Sequence, residues 1–317
     1  MSKVIVTGAA GFIGSYLVEA LLEQGHSVIG VDNMSVGTKG NIAGALQNRS
    51  FKLVKLDLRE TIGRELPPDV EVVFHLAADP EVRTGLTNPK SQFENNVRAT
   101  YNILEYAREA KIKRLHVASS STVYGEPGVQ PTPEDYLPLR PISIYGCSKL
   151  MCETMALGYS QTFGLQILVH RPANVVGGRG THGVLLDFIA KLQSDRKHLQ
   201  ILGDGKQNKS YIHGSDMAHA ILTIESKAES LGSYEVFNVG NIDRTSVTRI
   251  AELVAEEMGV KPEFSFTGGI EGGRAWKGDV RTVLLDIGKV VSLGWSPTMG
   301  SDDSVRLAVS ELVRIND

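Results

Sequence analysis

The stretch Thr7-Gly8-Ala9-Ala10-Gly11-Phe12-Ile13-Gly14 decides the fold of this 317-residue chain. It comes directly after a short apolar run, residues 3–6, and opens a segment with helical periodicity over residues 12–23. Glycines at this spacing between a strand and a helix permit a tight turn, a close approach to a pyrophosphate and close helix packing, and the helix points its amino end at the phosphates. A turn of this kind alone can also be a plain connection, so the assignment needs support elsewhere in the chain. The residues expected to hold a dinucleotide are Gly8, Gly11, Phe12, Ile13 and Gly14.

Short apolar runs alternate with segments of helical period through the first half of the chain. The expected strands cover residues 4–7, 27–31, 51–55, 70–75, 114–118 and 165–170, and the longer expected helices cover 12–23, 95–110 and 144–160. Such alternation predicts an α/β fold with a Rossmann-like, doubly wound parallel sheet. After about residue 172 the pattern loosens into glycine-rich turns and short helices. We therefore expect residues 1–172 to form the nucleotide-binding domain, with some later segments returning to it, and residues 173–317 to form mainly a smaller substrate-binding lobe.

Composition favours a small-molecule partner over a polymer or a membrane. The formal charge is −3, 42% of the residues are hydrophobic and no long basic block is present, so we expect neither nucleic acid nor a membrane as a partner. The chain has no charged-then-apolar leader and no run of about 18 apolar residues, which predicts a cytoplasmic protein. Its eight histidines and two cysteines show no metal-ligand spacing, so no metal is expected.

Acidic residues after the second and third strands indicate which dinucleotide binds. Asp32 directly follows the second expected strand, where a carboxylate accepts hydrogen bonds from the adenosine ribose hydroxyls and repels a 2′-phosphate. NAD is therefore expected over NADP, although Lys39 in a nearby loop is a cation of the kind that attracts a 2′-phosphate. Asp57-Leu58 follows the third strand and Ala77-Ala78 follows the fourth, at the positions expected for the adenine and the middle of the cofactor.

Tyr145 and Lys149 stand four residues apart in a segment that reads as a helix, so both project from one face. Free tyrosine has a pKa of about 10, and we expect the Lys149 ammonium and a positive nicotinamide to lower the pKa of Tyr145 enough for proton transfer. Lys149 is also expected to hold the nicotinamide ribose. A hydroxyl of the serine cluster, residues 119–122, would hold the substrate oxygen, because strand carboxyl ends line the crevice of this fold. The same spacing also occurs on solvated helix faces, and the glycine turn and the serine cluster are what favour catalysis.

Together these motifs resemble the extended short-chain dehydrogenase/reductases, and within them the UDP-glucose 4-epimerases. The matching pieces run through nearly the whole chain, at residues 7–14, 32–33, 57–58, 75–78, 95–97, 119–125, 145–149, 171–174 and 211–213. The resemblance implies Ser120 as the catalytic hydroxyl beside Tyr145 and Lys149, because Ser120 stands four positions before Tyr124-Gly125 as the family's serine or threonine does. The cofactor contacts that it implies, besides the glycine turn, are Asp32, Asn33, Asp57, Leu58, Leu76, Ala77, Ala78, Asn96, Tyr145 and Lys149.

The family implies a cycle without net oxidation. Tyr145 removes the proton of a sugar 4-hydroxyl while hydride passes from C4 to tightly held NAD, and the 4-keto sugar then turns over and takes the hydride on its opposite face. The implied substrate is a UDP-sugar, interconverted between UDP-glucose and UDP-galactose and anchored through its nucleotide and diphosphate. The implied substrate contacts are Ser120, Ser121, Thr122, Asn174, Val184, Lys209, Arg274, Asp279 and Val283. A homodimer paired through the helices at 95–110 and 144–160 is implied as well.

Three departures from the family pattern concern the substrate. Lys209 stands where the family reads an arginine, so a point charge replaces a bidentate guanidinium. The late arginine that grips the diphosphate is displaced, because Trp276 precedes Lys277-Gly278-Asp279 and Arg274 is the nearest substitute. Val283 lies about where the family gates the space around the sugar C2 substituent, and its small side chain predicts that UDP-N-acetylhexosamines are accepted too.

Several alternatives stay open at this point. Sugar-nucleotide dehydratases and decarboxylases of this family carry an acid two residues after the catalytic hydroxyl, where this chain has Thr122, which favours epimerisation. A dehydratase, or an epimerase or decarboxylase of UDP-glucuronate, remains the alternative, since an acid from elsewhere in the chain would serve. A plain NAD-dependent dehydrogenase would consume added NAD. A non-catalytic NAD-sensing protein would need neither Tyr145 nor Lys149.

Overall fold

The alternating pattern of the chain becomes a central parallel sheet with a smaller lobe on one side. The computed structural model describes residues 2–63 and 65–316. Its strands are β1 (Lys3–Thr7), β2 (Ser27–Asp32), β3 (Phe51–Lys55), β4 (Val72–His75), β5 (Arg114–Ala118), β6 (Gln166–Pro172), β7 (Asn174–Val176), β8 (His198–Ile201), β9 (Asn208–Lys209), β10 (Tyr211–His213), β11 (Tyr234–Val239), β12 (Thr245–Ser246), β13 (Glu263–Phe266) and β14 (Thr282–Val283). Its α-helices are α1 (Phe12–Glu23), α2 (Thr84–Thr87), α3 (Pro89–Gln92), α4 (Ala99–Glu109), α5 (Ile144–Phe163), α6 (Val184–Ser194), α7 (Gly214–Ser226), α8 (Val247–Glu257), α9 (Gly288–Ser292) and α10 (Ser301–Asn316).

The central sheet has the order β11-β6-β5-β4-β1-β2-β3, and all of its pairs are parallel. The chain winds outward from β1 in both directions, since Val4 pairs with Val28 of β2 on one side and with Val72 of β4 on the other. The predicted doubly wound, Rossmann-like α/β fold is therefore confirmed. A crevice forms at such a switch point, outside the carboxyl ends of the strands.

Helices cover both faces of the sheet because successive residues of a strand point to opposite faces. Val4 and Val6 lie in the core cluster that includes α1 and α7, whereas Ile5 lies in the cluster that includes α4 and α5. The helix expected over 95–110 is split, with a π-helical segment over Phe93–Arg98 leading into α4. Helix α5 runs three residues beyond the expected 144–160 and ends where Gly164 adopts a left-handed conformation, φ 71°.

The smaller lobe is built from short strands and from α6, α8 and α10. Its strand sets are β10-β7, β12-β9-β14 and β13-β8. The three helices share a core of their own, formed among others by Leu185, Ile250 and Val305. Strand β11 lies after residue 172 and returns to the central sheet beside β6, as the predicted organisation allows; the division at residue 172 itself stays a prediction. Over residues 2–63 and 65–316, no helix combines the length and the apolar character needed to span a bilayer.

Candidate active site

A cavity of about 480 Å³ lies at the carboxyl ends of the parallel strands and extends to the smaller lobe. One end is lined by the glycine turn, the middle by the serine cluster with Tyr145 and Lys149, and the other end by residues of β9, α6 and the segment 275–283. Large concave sites with a few convergent polar groups are the usual location of small-molecule binding. The fold thus brings the cofactor and substrate residues expected from the sequence to one place, with the exceptions of Asn96 and Arg274.

The glycine turn is shaped by contacts that a side chain would destroy. Gly8 has φ +67° and its N–H donates to the Val31 carbonyl at 2.8 Å. A Cβ on Gly8 would lie 2.9 Å from the Ala77 backbone nitrogen, and a Cβ on Gly14 would collide with the Gly8 carbonyl oxygen. Both glycines line the cavity at the amino end of α1. This open backbone cradle, with a helix terminus behind it, fits a pyrophosphate.

Asp32 both holds the turn and faces the cavity. Its Oδ2 accepts the Ala10 N–H at 3.0 Å, and its Oδ1 accepts the Met34 N–H at 2.8 Å. The carboxylate retains free lone pairs toward the cavity that it lines, as a ribose contact requires. Asp57 lies farther along the same wall, where hydrogen bonds from Arg59 lower the pKa of Asp57 to about 2. Both acids are thus anchored where an adenosine is expected.

All but one of the remaining residues expected to bind the cofactor line the cavity. The structure places Asn33, Leu58, Leu76, Ala77 and Ala78 in the cavity wall. Asn96, by contrast, does not line the cavity and is almost fully buried behind it. Its Oδ1 accepts the Asp79 N–H at 2.7 Å and its Nδ2 donates to Ser148 Oγ at 2.9 Å. Asn96 therefore ties the segment after β4 to helix α5 instead of contacting a ligand directly.

Ser120, Tyr145 and Lys149 converge in the middle of the cavity. Ser143 caps α5 by accepting the Gly146 N–H at 3.0 Å, which fixes the first turn that carries Tyr145. The Lys149 Nζ lies 5.9 Å from the centroid of the Tyr145 ring and donates to the Ala118 carbonyl at 2.8 Å. An ammonium has three donors, so two remain for a ribose.

The electrostatics of Tyr145 differ from the expectation. Burial raises the pKa of Tyr145 to about 12, while a hydrogen bond with Ser120 acts in the opposite direction. Burial outweighs the lowering effect of Ser120, while the Lys149 ammonium donates to the Ala118 carbonyl. That Lys149 and the positive charge of an oxidised nicotinamide lower the pKa of Tyr145 stays a prediction.

A buried network supports the serine cluster and was not foreseen from the sequence. Glu153 accepts two hydrogen bonds from Arg171, at 2.9 and 2.7 Å, and a third from the Ser119 hydroxyl. Arg171 also donates to the Tyr124 hydroxyl at 2.8 Å. The available signal was an acid placed one helical turn after Lys149 on α5, on the same inward face.

The cavity wall includes the expected substrate residues Ser121, Thr122, Asn174, Val184, Asp279 and Val283, and their contact with a substrate stays a prediction. Thr122 donates its hydroxyl to Ser120 Oγ at 3.0 Å. The Lys209 ammonium lines the cavity and pairs with Asp279 at 2.8 Å. The structure does not bring Arg274 to the cavity wall: its guanidinium binds both carboxylate oxygens of Glu126, at 2.5 and 2.6 Å. Sequence reasoning missed Arg83, which lines the cavity instead.

No metal centre is visible in the part of the chain that the structure describes, since it contains no group of three or more histidine, cysteine or carboxylate side chains placed to hold an ion.

Comparison with known proteins places the chain among nucleotide-sugar enzymes. The family model of the NAD dependent epimerase/dehydratase family matches residues 4–240. The chain belongs to this family. A UDP-glucose 4-epimerase from Mycolicibacterium smegmatis is 33% identical over 317 residues, which cover 97% of each chain. Two solved structures each match over 99% of both chains with a TM-score of 0.88: a UDP-galactose 4-epimerase at 40% identity, and a UDP-glucuronic acid 4-epimerase from Bacillus cereus, in complex with UDP-glucuronic acid and NAD, at 30% identity.

Membership in the epimerase/dehydratase family confirms three predictions: the resemblance itself, an enzyme of the epimerase type, and NAD as its cofactor. The relatives differ in the sugar that they are named for, so the family alone leaves the sugar open.

Proposed function

We propose that the protein is a UDP-sugar 4-epimerase that interconverts UDP-glucose and UDP-galactose through a transient 4-keto sugar. The observation that carries the proposal is the serine cluster: Ser120 meets Tyr145 in a cavity that also holds the glycine turn, and Thr122 stands where dehydratases and decarboxylases place an acid. The Thr122 hydroxyl cannot act as the general acid that an elimination from the sugar requires. Simple inversion at C4 is the chemistry that these residues support best.

Bound NAD would supply the hydride acceptor, and later the hydride donor, at C4. Tyr145 Oη takes the proton from the sugar 4-hydroxyl and returns it after the sugar has turned over. Ser120 Oγ forms a hydrogen bond with Tyr145 and accepts a hydrogen bond from the Thr122 hydroxyl. Because Ser120 Oγ accepts the Thr122 bond, its own proton can be donated to a carbonyl oxygen at C4 of the sugar. Lys149, fixed by the Ala118 carbonyl, would orient the nicotinamide ribose.

Substrate rotation needs an anchor away from the reacting carbon. Lys209 and Asn174 line the far end of the cavity, where Asn174 Nδ2 donates to the Ser210 carbonyl at 3.2 Å and is held in place. Binding energy from the nucleotide and diphosphate there would hold the substrate while the hexose turns.

The test is incubation of purified protein with UDP-galactose, without added cofactor, followed by chromatography for UDP-glucose. Conversion that is lost in Tyr145→Phe and retained in Tyr136→Phe would support a 4-epimerase that carries its own NAD. Tyr136 is a suitable control because it lies outside the cavity, where its hydroxyl accepts the Gly128 N–H at 3.1 Å. No conversion of UDP-galactose, even with NAD supplied, would contradict the proposal. Net reduction of added NAD would point to a dehydrogenase, and a new 4-keto-6-deoxy product to a dehydratase.

UDP-N-acetylhexosamines are a second substrate class, favoured by Val283. This small side chain lines the cavity and is 8% exposed, and in the register of β14 and β9 it lies opposite Lys209. UDP-glucuronic acid is the competing substrate, because a solved relative binds it. Parallel incubations with UDP-N-acetylglucosamine and UDP-glucuronic acid rank the three sugars.

We also propose a cytoplasmic homodimer formed through α5 and the segment that contains α4. Both carry exposed apolar side chains that a partner copy would cover, namely Phe93, Tyr101, Met151 and Leu157. Light scattering on the wild type and on Met151→Asp tests the dimer; a monomeric wild type would contradict it.

A further inference from the structure

Arg83 is a cationic side chain in the wall of the cavity that the mechanism above does not use. It lies between β4 and α2, on the cofactor side of the cavity, whereas two of its contacts, Asp187 and Trp276, come from α6 and from the segment 275–283. Its guanidinium stands over the indole of Trp276, with 5.7 Å between Arg83 Cζ and the ring centroid. The contact therefore joins the cofactor side to the substrate side across the cavity.

The hydrogen bonds of Arg83 leave one edge of the guanidinium open. Glu81 binds the other edge, accepting from Nε at 3.1 Å and from Nη2 at 2.9 Å. Nη1 has Asp187 as its nearest carboxylate, at 3.6 Å, which is an ion pair beyond hydrogen-bond distance. A guanidinium has five N–H donors, so Nη1 and the second hydrogen of Nη2 can bind anionic oxygens. Glu81 and Trp276 hold the fork in one orientation.

The two cations expected at the substrate end offer no free guanidinium edge to the cavity. Lys209 is paired with Asp279 at 2.8 Å, and Arg274 lies outside the cavity wall on Glu126. Trp276 occupies the place near Asp279 from which a late arginine was expected to act. Its buried indole N–H finds no acceptor among the described residues, so it is a second donor in need of one.

We propose that Arg83, oriented by Glu81 and by the face of Trp276, is a ligand of the substrate's diphosphate and takes over the part expected of Arg274. The inference rests on the proposed UDP-sugar substrate. A guanidinium is suited to this role because its planar fork binds phosphate oxygens with two parallel hydrogen bonds. Arg83 would thus contact the diphosphate from the cofactor side of the cavity, and Lys209 would contact it from the side of the smaller lobe.

The anion could come from two sources, a diphosphate or the carboxylate of a uronic acid sugar. Calorimetric titration of the NAD-bound protein with UDP, with uridine and with UDP-glucuronic acid separates them. We expect Arg83→Gln to weaken UDP binding by about tenfold or more, the value of a charge-assisted hydrogen bond, and to leave uridine binding unchanged. Arg83→Lys should lose part of the affinity, because it keeps the charge without the fork. Arg98→Gln, which removes an exposed arginine outside the cavity, is the control and should match the wild type.

Four results would overturn the inference. Unchanged UDP affinity in Arg83→Gln would exclude the contact and leave the proposed function intact. Equal weakening of UDP and uridine would assign Arg83 a purely structural role, and weakening of UDP-glucuronic acid alone would assign the anion to a sugar carboxylate. A wild type that binds no UDP would overturn the proposed function together with this inference. Should Arg83→Gln not fold, Arg83→Lys supplies the same comparison, because it keeps the charge and removes the planar fork; we expect it to weaken UDP and spare uridine.

Discussion

The Glu153 carboxylate and the Arg171 guanidinium form a buried, two-bond ion pair directly behind the serine cluster, with N···O distances of 2.9 and 2.7 Å. The pair joins helix α5, which carries Tyr145 and Lys149, to strand β6. Because the Ser119 hydroxyl donates to the same carboxylate, the pair also fixes the strand end from which Ser120 projects.

Removing one partner of this pair should destabilise the protein strongly. Glu153→Ala leaves the Arg171 charge buried without a counterion, which costs about 3–5 kcal/mol of unfolding free energy. Glu94→Ala removes an i,i+4 surface pair with Arg98 and should cost at most about 1 kcal/mol. Urea denaturation of both variants measures the difference. Equal losses would mean that the Glu153 pair contributes no more than a surface pair.

Two glycine-to-alanine changes should have opposite effects on stability. Gly14→Ala forces a Cβ into the Gly8 carbonyl, so we expect lower stability and weaker NAD binding. Gly158→Ala lies in α5, where no atom other than the helix's own backbone and the neighbouring residues lies within 4 Å of the new Cβ, and it should gain about 0.5–1 kcal/mol from helix propensity. Thermal unfolding with and without NAD checks both. A Gly14→Ala protein with unchanged NAD affinity would contradict the role of the turn.

The pH dependence of turnover should follow the phenol of Tyr145. Phenolate is the base form, so kcat/KM should rise with pH toward the pKa of this group. Burial raises that pKa and the hydrogen bond with Ser120 lowers it. Ser120→Ala should therefore raise the pKa further and move the rising limb of the profile to higher pH, besides lowering the rate. Ser121→Ala, a cavity-lining neighbour, should leave the midpoint in place. A midpoint that does not move in Ser120→Ala would show that the hydrogen bond is absent during turnover.

A bulky residue at position 283 should narrow the substrate range. Val283→Tyr fills space at the cavity wall, so we expect the rate with UDP-N-acetylglucosamine, relative to that with UDP-galactose, to fall by tenfold or more, about the loss of 1.4 kcal/mol. The ratio is the proper readout because overpacking a buried site also costs about 1–3 kcal/mol of stability. Val283→Ala is the matched control and should not lower the ratio. An unchanged ratio in Val283→Tyr would remove Val283 from the specificity site.

The fold is well predicted from the sequence because hydrophobic periodicity and turn residues depend only on neighbouring positions in the chain. The run at 51–55 and the glycine turn are readable without knowing their partners. The fourth strand illustrates the limit: its expected start at residue 70 becomes Val72, since pairing with β1 begins where Val4 meets Val72. Strand β11 was not identified as a strand from the sequence, because its place in the sheet is set by β6, which precedes it by more than 60 residues.

Side-chain partners at the site were harder to predict than its backbone. The glycines, Ser120, Tyr145 and Lys149 are fixed by spacing within one turn or one helix. Arg274 lies outside the cavity wall and Arg83 lines it, for reasons that lie far apart in the chain. Glu126, which holds Arg274, is 148 residues away from it, and Trp276, which supports Arg83, lies on the opposite side of the cavity.

The position of β11 has a consequence for any attempt to divide the molecule. This strand is encoded within the region of the smaller lobe, yet it closes the edge of the central sheet beside β6. A chain cut after residue 172 would leave the backbone N–H and C=O groups of β6 unpaired along a long apolar edge, which is a template for self-association. A substrate lobe exchanged by engineering at residue 172 would therefore have to bring a strand that pairs with β6 at the edge of the central sheet.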